Sequence, residues 1–443
     1  MSQRMQTTPD PVLIRPASAA EVAAALRRAS DARQSIVIRG AGTKSEWGRP
    51  AARIDAVLDM RRMNRILAHE HGDMTATIEA GALLREVNQA LAVHGQTLPL
   101  DPPFADRATI GGLLATNDSG PLRHRYGTPR DLVIGIQLAT TDGVLSKAGG
   151  RVVKNVAGYD LSKLVTGSFG SLAAIVSATF KLAPLPAASK TMKMAVRDVV
   201  ALADIIRTVM ASQLEPVAFE VASRRSTQNP LNPQKTTTSA RSASSALNVV
   251  IRFASLPAVV DAQVEQATVA VKACTTSIEV LEGDAERALW LEHASQLWDE
   301  PGAIVRASWL PAGIASGLGE LERITAGLKA CTTTIGGGTM IGGGTTTISG
   351  GMTTIGETTT IIGRAAIGAG LIRIDGDTAA QASVIEQLRA SQTFGNIVLV
   401  RGAAELKALV DVWGPHGDRQ PLFDSLKRAF DPNGVLNAGR GPL

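Results

Sequence analysis

Cysteine is almost missing: Cys274 and Cys331 are the only two in 443 residues, each in a Lys-Ala-Cys-Thr-Thr context. Two thiols exclude a disulfide framework, a thiolate metal site and a four-cysteine iron–sulfur cluster, and they point to a reducing cytoplasm. Aromatic residues are scarce, at 3%. Basic residues are scattered except for Arg61, Arg62 and Arg65 and for Arg123 and Arg125. Nucleic-acid binding calls for a concentrated basic stripe with interleaved aromatics, so that class is excluded. No apolar run is long enough to span a bilayer, and Met1–Pro11 has a lone Arg4 and no apolar core, so neither an anchor nor a signal peptide is expected. Membrane contact is therefore expected only through partners. The net charge of +5 is mild, from 45 basic against 40 acidic residues.

Glycine, by contrast, is plentiful, and its placement divides the chain. Length alone implies two or three domains. Ser35–Arg39, Ile54–Leu58, Thr75–Glu79, Asp131–Thr140 and Ala173–Lys181 read as strands, and Leu83, Leu84, Val87 and Leu91 mark a helix stopped at Gly95. Pro184 and Pro186 mark a domain edge. Beyond it, helical and extended segments alternate as expected of helices on an antiparallel sheet. The expected division is 1–186, 187–405 and a C-terminal segment 406–443 that returns to the first domain. Two inserts stand out. Residues 223–246 are polar and read as a mobile loop. Residues 331–363 are almost all Thr, Gly and Ile and read as a low-complexity surface loop, because no Gly-Lys-Ser/Thr ending makes them a phosphate loop.

Three glycine-punctuated blocks lie in the first domain: Arg39-Gly-Ala-Gly-Thr-Lys44, Ala108 to Gly127, and Gly149 to Pro186. Tight turns let main-chain N–H groups approach a phosphate or a flat ring closely. The first block is not a Rossmann fingerprint, since the third glycine is missing. Thr109 reads as the cap of a helix whose N-terminus could receive phosphate, two compatible readings.

In order and spacing these blocks resemble the FAD-binding domain of the vanillyl-alcohol-oxidase and p-cresol-methylhydroxylase superfamily. Two segments carry a narrower resemblance: Gly150–Leu161, reading Gly-Arg-Val-Val-Lys-Asn-Val-Ala-Gly-Tyr-Asp-Leu, and the tail from Phe430-Asp-Pro to Asn437-Ala-Gly-Arg440. Both resemble the glycolate oxidase (glycolate dehydrogenase) group, in particular the FAD-binding component that accompanies its catalytic flavin subunit. The resemblance implies an α+β fold: a two-subdomain FAD-binding domain plus an α+β cap with an antiparallel sheet. It implies noncovalent FAD, with Arg39, Gly40, Ala41, Gly42, Thr43 and Lys44 wrapping the diphosphate. Asp101, Pro102, Thr109, Gly111, Gly112, Thr116, Ser119 and Gly120 would line the flavin and ribityl path. Gly158, Asp160, Gly167, Gly170 and Ile175 would close around the cofactor. Ala438 departs from the proline of many relatives.

The same resemblance implies oxidation of glycolate, a 2-hydroxy acid, to glyoxylate, with a catalytic flavin subunit and an iron–sulfur subunit as partners. No catalytic residue is evident; Asn437 and Arg440 are weak candidates, and Arg364, Arg373 and Arg440 are candidate carboxylate ligands. His293 and His416 stand alone, so no metal site is expected. Two alternatives remain open, a self-sufficient 2-hydroxy-acid dehydrogenase and a scaffold subunit without catalysis.

Overall fold

The structure, a computed structural model, describes residues 10–150, 159–226, 246–332 and 358–442. It comprises two compact units, Met1–Pro186 with His416–Leu443, and Ala187–Pro415.

The first unit contains two main sheets. Strands β1 (Val12–Ile14), β2 (Ile36–Arg39) and β3 (Ala56–Asp59) form a parallel sheet in the order β1-β3-β2. Helix α1 (Ala19–Asp31) makes the crossover from β1 to β2. Its start is closed in both directions: Glu21 N–H donates to Ser18 Oγ at 3.3 Å, and Ala17 N–H donates to the Glu21 carboxylate at 2.9 Å. Val22, Ala25, Leu26 and Ala29 recur at helical spacing and are buried.

The second sheet is antiparallel. Its strands are β4 (Ile66–Glu70), β5 (Thr75–Glu79), β7 (Val133–Ala139), β8 (Leu145–Gly149) and β9 (Ala174–Lys181), in the order β4-β5-β9-β7-β8. β6 (Gln96–Thr97) pairs separately with β10 (Ala183–Pro184). The first seven residues of β9 are all buried, as a central strand covered on both faces requires. Helices α2 (Leu84–Ala92) and α3 (Ile110–Thr116) pack on this sheet. The expected strand 131–140 is shorter at its start. Pro129–Leu132 is a helical turn, closed where Thr128 N–H and Oγ1–H both donate to Asp131 Oδ2 at 2.8 Å, and β7 begins at Val133.

The second unit holds one eight-stranded antiparallel sheet: β11 (Ala188–Val196), β12 (Ala218–Ser226), β13 (Ala246–Ser255), β14 (Thr275–Leu281), β15 (Ala303–Trp309), β16 (Thr358–Arg364), β17 (Ala369–Ile374) and β18 (Phe394–Arg401). Its order, β14-β11-β13-β12-β16-β17-β15-β18, resolves into two βαββαβ halves joined edge to edge through β12 and β16. Helices Val199–Met210, Pro257–Val271, Ile314–Thr332 and Thr378–Ala390 contribute to a single core on one face.

Three expectations are corrected here. Both inserts are shorter than their composition suggests. Residues 223–226 and 246 belong to β12 and β13, and the middle of the polar insert lies outside the described residues. Cys331 and Thr332 end a helix, and residues 358–363 form β16 at the centre of the sheet, with Ile361 and Ile362 buried. Thr and Ile are β-branched, and ladder partners on both sides make that preference decisive. Lastly, the second unit extends to Pro415, not 405: Leu406, Val410 and Val412 are in its core, and Leu399 N–H donates to Val412 O at 2.8 Å.

Candidate functional site

The end of β2, the start of α3 and the C-terminal tail meet in the first unit around two adjoining cavities. One is lined by Ile38, Gly40, Met60, Ala80, Thr109, Gly111, Gly112, Ala115, Phe169, Gly170, Ala173, Ile175 and Asn437. The other shares Ile38, Gly40, Thr109, Gly112, Ala115, Phe169 and Asn437 with it and adds Val37, Arg39, Ala41 to Ser45, Thr116 and Arg440. The first is an apolar slot walled by small residues. The second carries hydroxyls and cations. A flat ring joined to a charged diphosphate has this same division of polarity.

The Arg39–Lys44 block forms a turn with Gly42 at φ 79°, a conformation that favours glycine. Ser45 N–H donates to Gly42 O at 3.1 Å and Trp47 N–H to Lys44 O at 3.1 Å. The Arg440 guanidinium donates to the carbonyls of Ser45 and Trp47, tying the tail to this turn; burial lowers its pKa. Lys44 Nζ lies 3.2 Å from Asp118 Oδ2, both side chains nearly buried, and 5.4 Å from the Trp47 ring centre. Asp118 lies in the Thr-Asn-Asp-Ser-Gly block, and nothing in that block's sequence marks it as the partner of Lys44.

Arg39 reaches Asp59 at 3.9 Å, and Arg61 reaches the same oxygen at 2.6 Å. The hydrogen bond from Arg61 holds the Asp59 carboxyl below the ordinary carboxylate range, and Arg39 adds to this against the opposing effect of burial. A carboxyl depressed in the folded state contributes stability above its unfolded pKa and loses it as pH falls through the folded value. Denaturant melts should therefore show a stability loss beginning near the ordinary value of 3.8 and continuing below it, and Asp59→Asn should flatten this part of the profile. An unchanged profile in the variant would assign the acid sensitivity to other carboxylates.

Of the helix start, Ile110 N–H donates to Ala82 O at 3.0 Å and Gly111 N–H to Ala80 O at 2.7 Å. These two donors serve α3 packing, not an incoming phosphate. Thr109 occupies the cap position without a capping side-chain bond. A Cβ on Gly111 would meet Ala80 Cβ at 2.8 Å, so that glycine is needed for α3 to approach the end of β5. Gly112 lines both cavities, and Thr116 Oγ1 donates back to Gly112 O at 2.8 Å.

The remaining residues fall into three groups. Gly170 and Ile175 line the apolar cavity. Gly167, at φ 88°, donates its N–H to Leu114 O at 2.9 Å, and Phe169 donates to Ala115 O at 2.8 Å, stitching this turn to α3. Asp101 accepts Leu122 N–H at 2.9 Å, and a Cβ on Gly120 would run into the Asp101 carbonyl. Asp101, Pro102, Ser119 and Gly120 line neither cavity. Asp160 caps the helix Leu161–Val165, accepting Lys163 N–H at 3.1 Å and the Ser162 hydroxyl, and Gly158 lies outside the described residues.

The two weak catalytic candidates serve as braces. Asn437 Oδ1 accepts Ile38 N–H at 3.1 Å, its amide donates to Phe169 O, and its own N–H donates to Ile36 O at 3.0 Å. The side chain is thereby committed to holding β2, the Phe169 turn and the tail together. Arg440 is committed to the Gly42 turn in the same way.

In the second unit, the sheet face opposite the main core carries buried charge. Glu220 and Arg364 stand directly opposite each other on β12 and β16, 3.7 Å apart, and His293 lies 3.3 Å from Glu220. Arg373, 1% exposed, is paired with Glu300 at 2.9 Å and Asp375 at 3.1 Å. His293 is thus not alone, and two of the three candidate carboxylate ligands already have carboxylate partners. Sequence spacing cannot reveal a pair made across a sheet seam. The first unit likewise gathers His69, His71 and His94, where no metal site was expected. The His69-x-His71 spacing was the available signal.

Residues 11–149 match the family described as FAD binding domain. Over 215 residues the chain is 34% identical to glycolate oxidase subunit GlcD of Bacillus subtilis (strain 168), covering 48% of this chain and 46% of that protein. It is 35% identical over 183 residues to glycolate oxidase subunit GlcE of Escherichia coli (strain K12), covering 41% of this chain and 51% of that one. A D-lactate dehydrogenase of Archaeoglobus fulgidus is 34% identical over 173 residues, 39% of each chain. The chain spans about half the length, or less, of these curated relatives. Alkyldihydroxyacetonephosphate synthase superposes with a TM-score of 0.65 over 96% of this chain and 76% of its own, at 18% identity, a likeness of fold. The fold is accordingly of the vanillyl-alcohol-oxidase and p-cresol-methylhydroxylase type, and FAD is the cofactor of its first unit.

Proposed function

We propose that this chain is the FAD-binding subunit of an oxidoreductase that converts a small 2-hydroxy acid, glycolate in the first instance, to the 2-oxo acid and passes the electrons to partner subunits. The observation that carries the reading is the paired cavity. Its glycine-walled apolar slot adjoins a polar chamber, in the domain that matches glycolate oxidase subunits and D-lactate dehydrogenases.

The Arg39–Lys44 turn, braced by Arg440, would hold the diphosphate. Thr109, Gly111, Gly112, Gly170 and Ile175 would hold the ring and its linker. Bound there, FAD supplies a two-electron acceptor. The protein contributes orientation and charge. The Lys44–Asp118 pair keeps a cation at a fixed place at the cost of a buried counter-ion, Asn437 holds three cavity walls in register, and small residues leave room for a flat ring in the apolar slot. Asp101, Ser119, Gly120, Gly167 and Asp160 would act from behind the walls, holding the loops that touch the cofactor.

Composition supports electron transfer to a partner. With two cysteines the chain supplies no four-cysteine cluster of its own, so an iron–sulfur subunit and a catalytic flavin subunit are the proposed partners. The pairing of Arg364 and Arg373 with carboxylates favours this over a self-sufficient enzyme, because neither guanidinium is left uncompensated for a substrate carboxylate. The place of action proposed is the cytoplasm, with membrane contact through partners. No helix among the described residues is long and apolar enough to cross a membrane.

The test is an anaerobic titration of the purified chain with glycolate, followed by visible absorption. Flavin present but bleached only after partner subunits are added is the expected result. A colourless protein that takes up no FAD would remove the cofactor assignment, and bleaching by the chain alone would overturn the need for a partner.

A further inference from the structure

The first unit carries a second cluster of chemistry apart from the cavities. His69 is on β4, His71 is in the turn between β4 and β5, and His94 follows α2. One ring nitrogen of each lies within 4.8 Å of the other two. His71 and His94 stack with centroids 3.7 Å apart and planes at 24°, and His69 stands edge-on, 4.2 Å from His71 and 5.3 Å from His94. His71 and His94 are exposed and His69 is half-buried. None of the three lines either flavin cavity.

Gln96 decides the state of one ring. Its Nε2 donates to His71 O at 2.8 Å, and a carbonyl can only accept, so the amide orientation is set. Gln96 Oε1 therefore faces His69 Nε2 at 2.8 Å, and His69 must donate from Nε2. The lone pair is then on His69 Nδ1. A histidine whose far N–H is held by a carbonyl oxygen is oriented as metal-ligating histidines usually are.

We propose that His69, His71 and His94 form a binding site for one divalent transition-metal ion of the zinc class, with Gln96 as the residue that positions His69. Three imidazoles without thiolate or carboxylate suit zinc, nickel or copper and not magnesium or calcium. Three protein ligands leave a fourth tetrahedral position for water or a further ligand. His69, braced by Gln96, is the fixed member. His71 and His94 are exposed, so their side chains can rotate out of the stack to turn their lone pairs towards the ion. The bound ion would clamp the β4–β5 hairpin to the segment that leads from α2 into β6.

The experiment is isothermal titration of the untagged, flavin-loaded full chain with zinc sulfate, and separately with magnesium chloride. Expected are one equivalent of zinc bound with micromolar affinity, no heat of binding with magnesium, and an unchanged flavin spectrum. The His71→Asn, His94→Asn double variant should bind zinc at least about a hundredfold more weakly, and Gln96→Leu about tenfold more weakly, the effect of losing an outer-shell partner. Both substituted positions are on the surface, and the flavin spectrum of the double variant reports on its fold. Absence of saturable zinc uptake, or equal uptake by the double variant, would overturn the site. The flavin assignment does not depend on either outcome.

Discussion

A Gly40→Val chain should purify with little or no flavin. Gly40 follows β2 and lines both cavities, and a Cβ there would run into Thr109 Oγ1 while standing 3.0 Å from Thr109 Cβ and 3.1 Å from Cγ2. Thr109 cannot yield cheaply: it is 3% exposed, and its neighbours are bound on both sides, Leu84 N–H to Ala108 O and Ile110 N–H to Ala82 O. The turn must therefore move into the space that the ring and diphosphate need. Overpacking of this kind costs about 1–3 kcal/mol, which at about 1.4 kcal/mol per tenfold weakens FAD binding by about 5- to 150-fold. Fluorescence titration of the apoprotein with FAD measures the shift, and an unaltered circular dichroism spectrum shows that the fold survives. Gly40→Ala should lie between the two. A valine variant with full flavin content would show that this turn does not face the cofactor.

Asp431→Ala should cause the largest loss of stability in the first unit. Asp431 is 2% exposed, and its carboxylate accepts Val435 N–H at 3.0 Å, Leu436 N–H at 2.8 Å and Lys427 Nζ at 2.6 Å. Lys427 Nζ also donates to Ser171 O at 2.8 Å and Leu436 O at 3.0 Å. This knot directs the chain into its parallel bridge with β2, where Ile36 N–H donates to Val435 O at 2.9 Å and Asn437 closes the cavity wall. Removing the carboxylate takes the counter-ion from a half-buried ammonium, which keeps only its two carbonyl acceptors, and leaves two buried N–H groups unpaired, a loss of about 3–5 kcal/mol. Urea unfolding followed by flavin release should show an earlier midpoint, and limited proteolysis should cut within 420–443. Asp431→Asn, which keeps acceptor capacity but loses the charge, should fall short of the full effect. A change within about 0.5 kcal/mol, the scale of an ordinary surface substitution, would mean that the tail is held by its apolar contacts alone.

The parts of the site that were legible in the sequence are those built by short-range backbone geometry. Gly42 and Gly170 adopt positive φ, and the Arg39–Lys44 turn, Thr109 and Gly112 do line the cavities. A turn that requires glycine leaves its mark at the position where it occurs. Side-chain partnerships left no such mark. Asn437 and Arg440 looked like candidates for chemistry because they end a distinctive tail. Their hydrogen bonds to Ile38, Phe169, Ser45 and Trp47 make them braces, a role visible only once residues 268 to 399 positions apart are adjacent.

The second unit shows the same contrast more strongly. Its strands at 303–309 and 369–374 follow from β-branched and apolar runs, but its division into two βαββαβ halves does not. The halves carry their inserts at different loops, one between β12 and β13 and one before β16, so no constant period links them. Thr358–Arg364 has the composition of a loose surface segment and becomes a central strand because β12 and β17 supply ladder partners on both sides.

By itself the sequence determined the boundary near Pro186 and the tight turns of the first domain's cavity, because tight turns and apolar periodicity are local properties of the chain; the FAD-binding character came from the resemblance of the glycine blocks to a known family. Only the tertiary structure decided which charges are neutralised, which of the expected site residues line a cavity and which brace it, and which histidines meet. Those outcomes depend on distances between elements remote in sequence, and burial sets their energies: a buried charge must find a partner, and that partner is chosen by the fold.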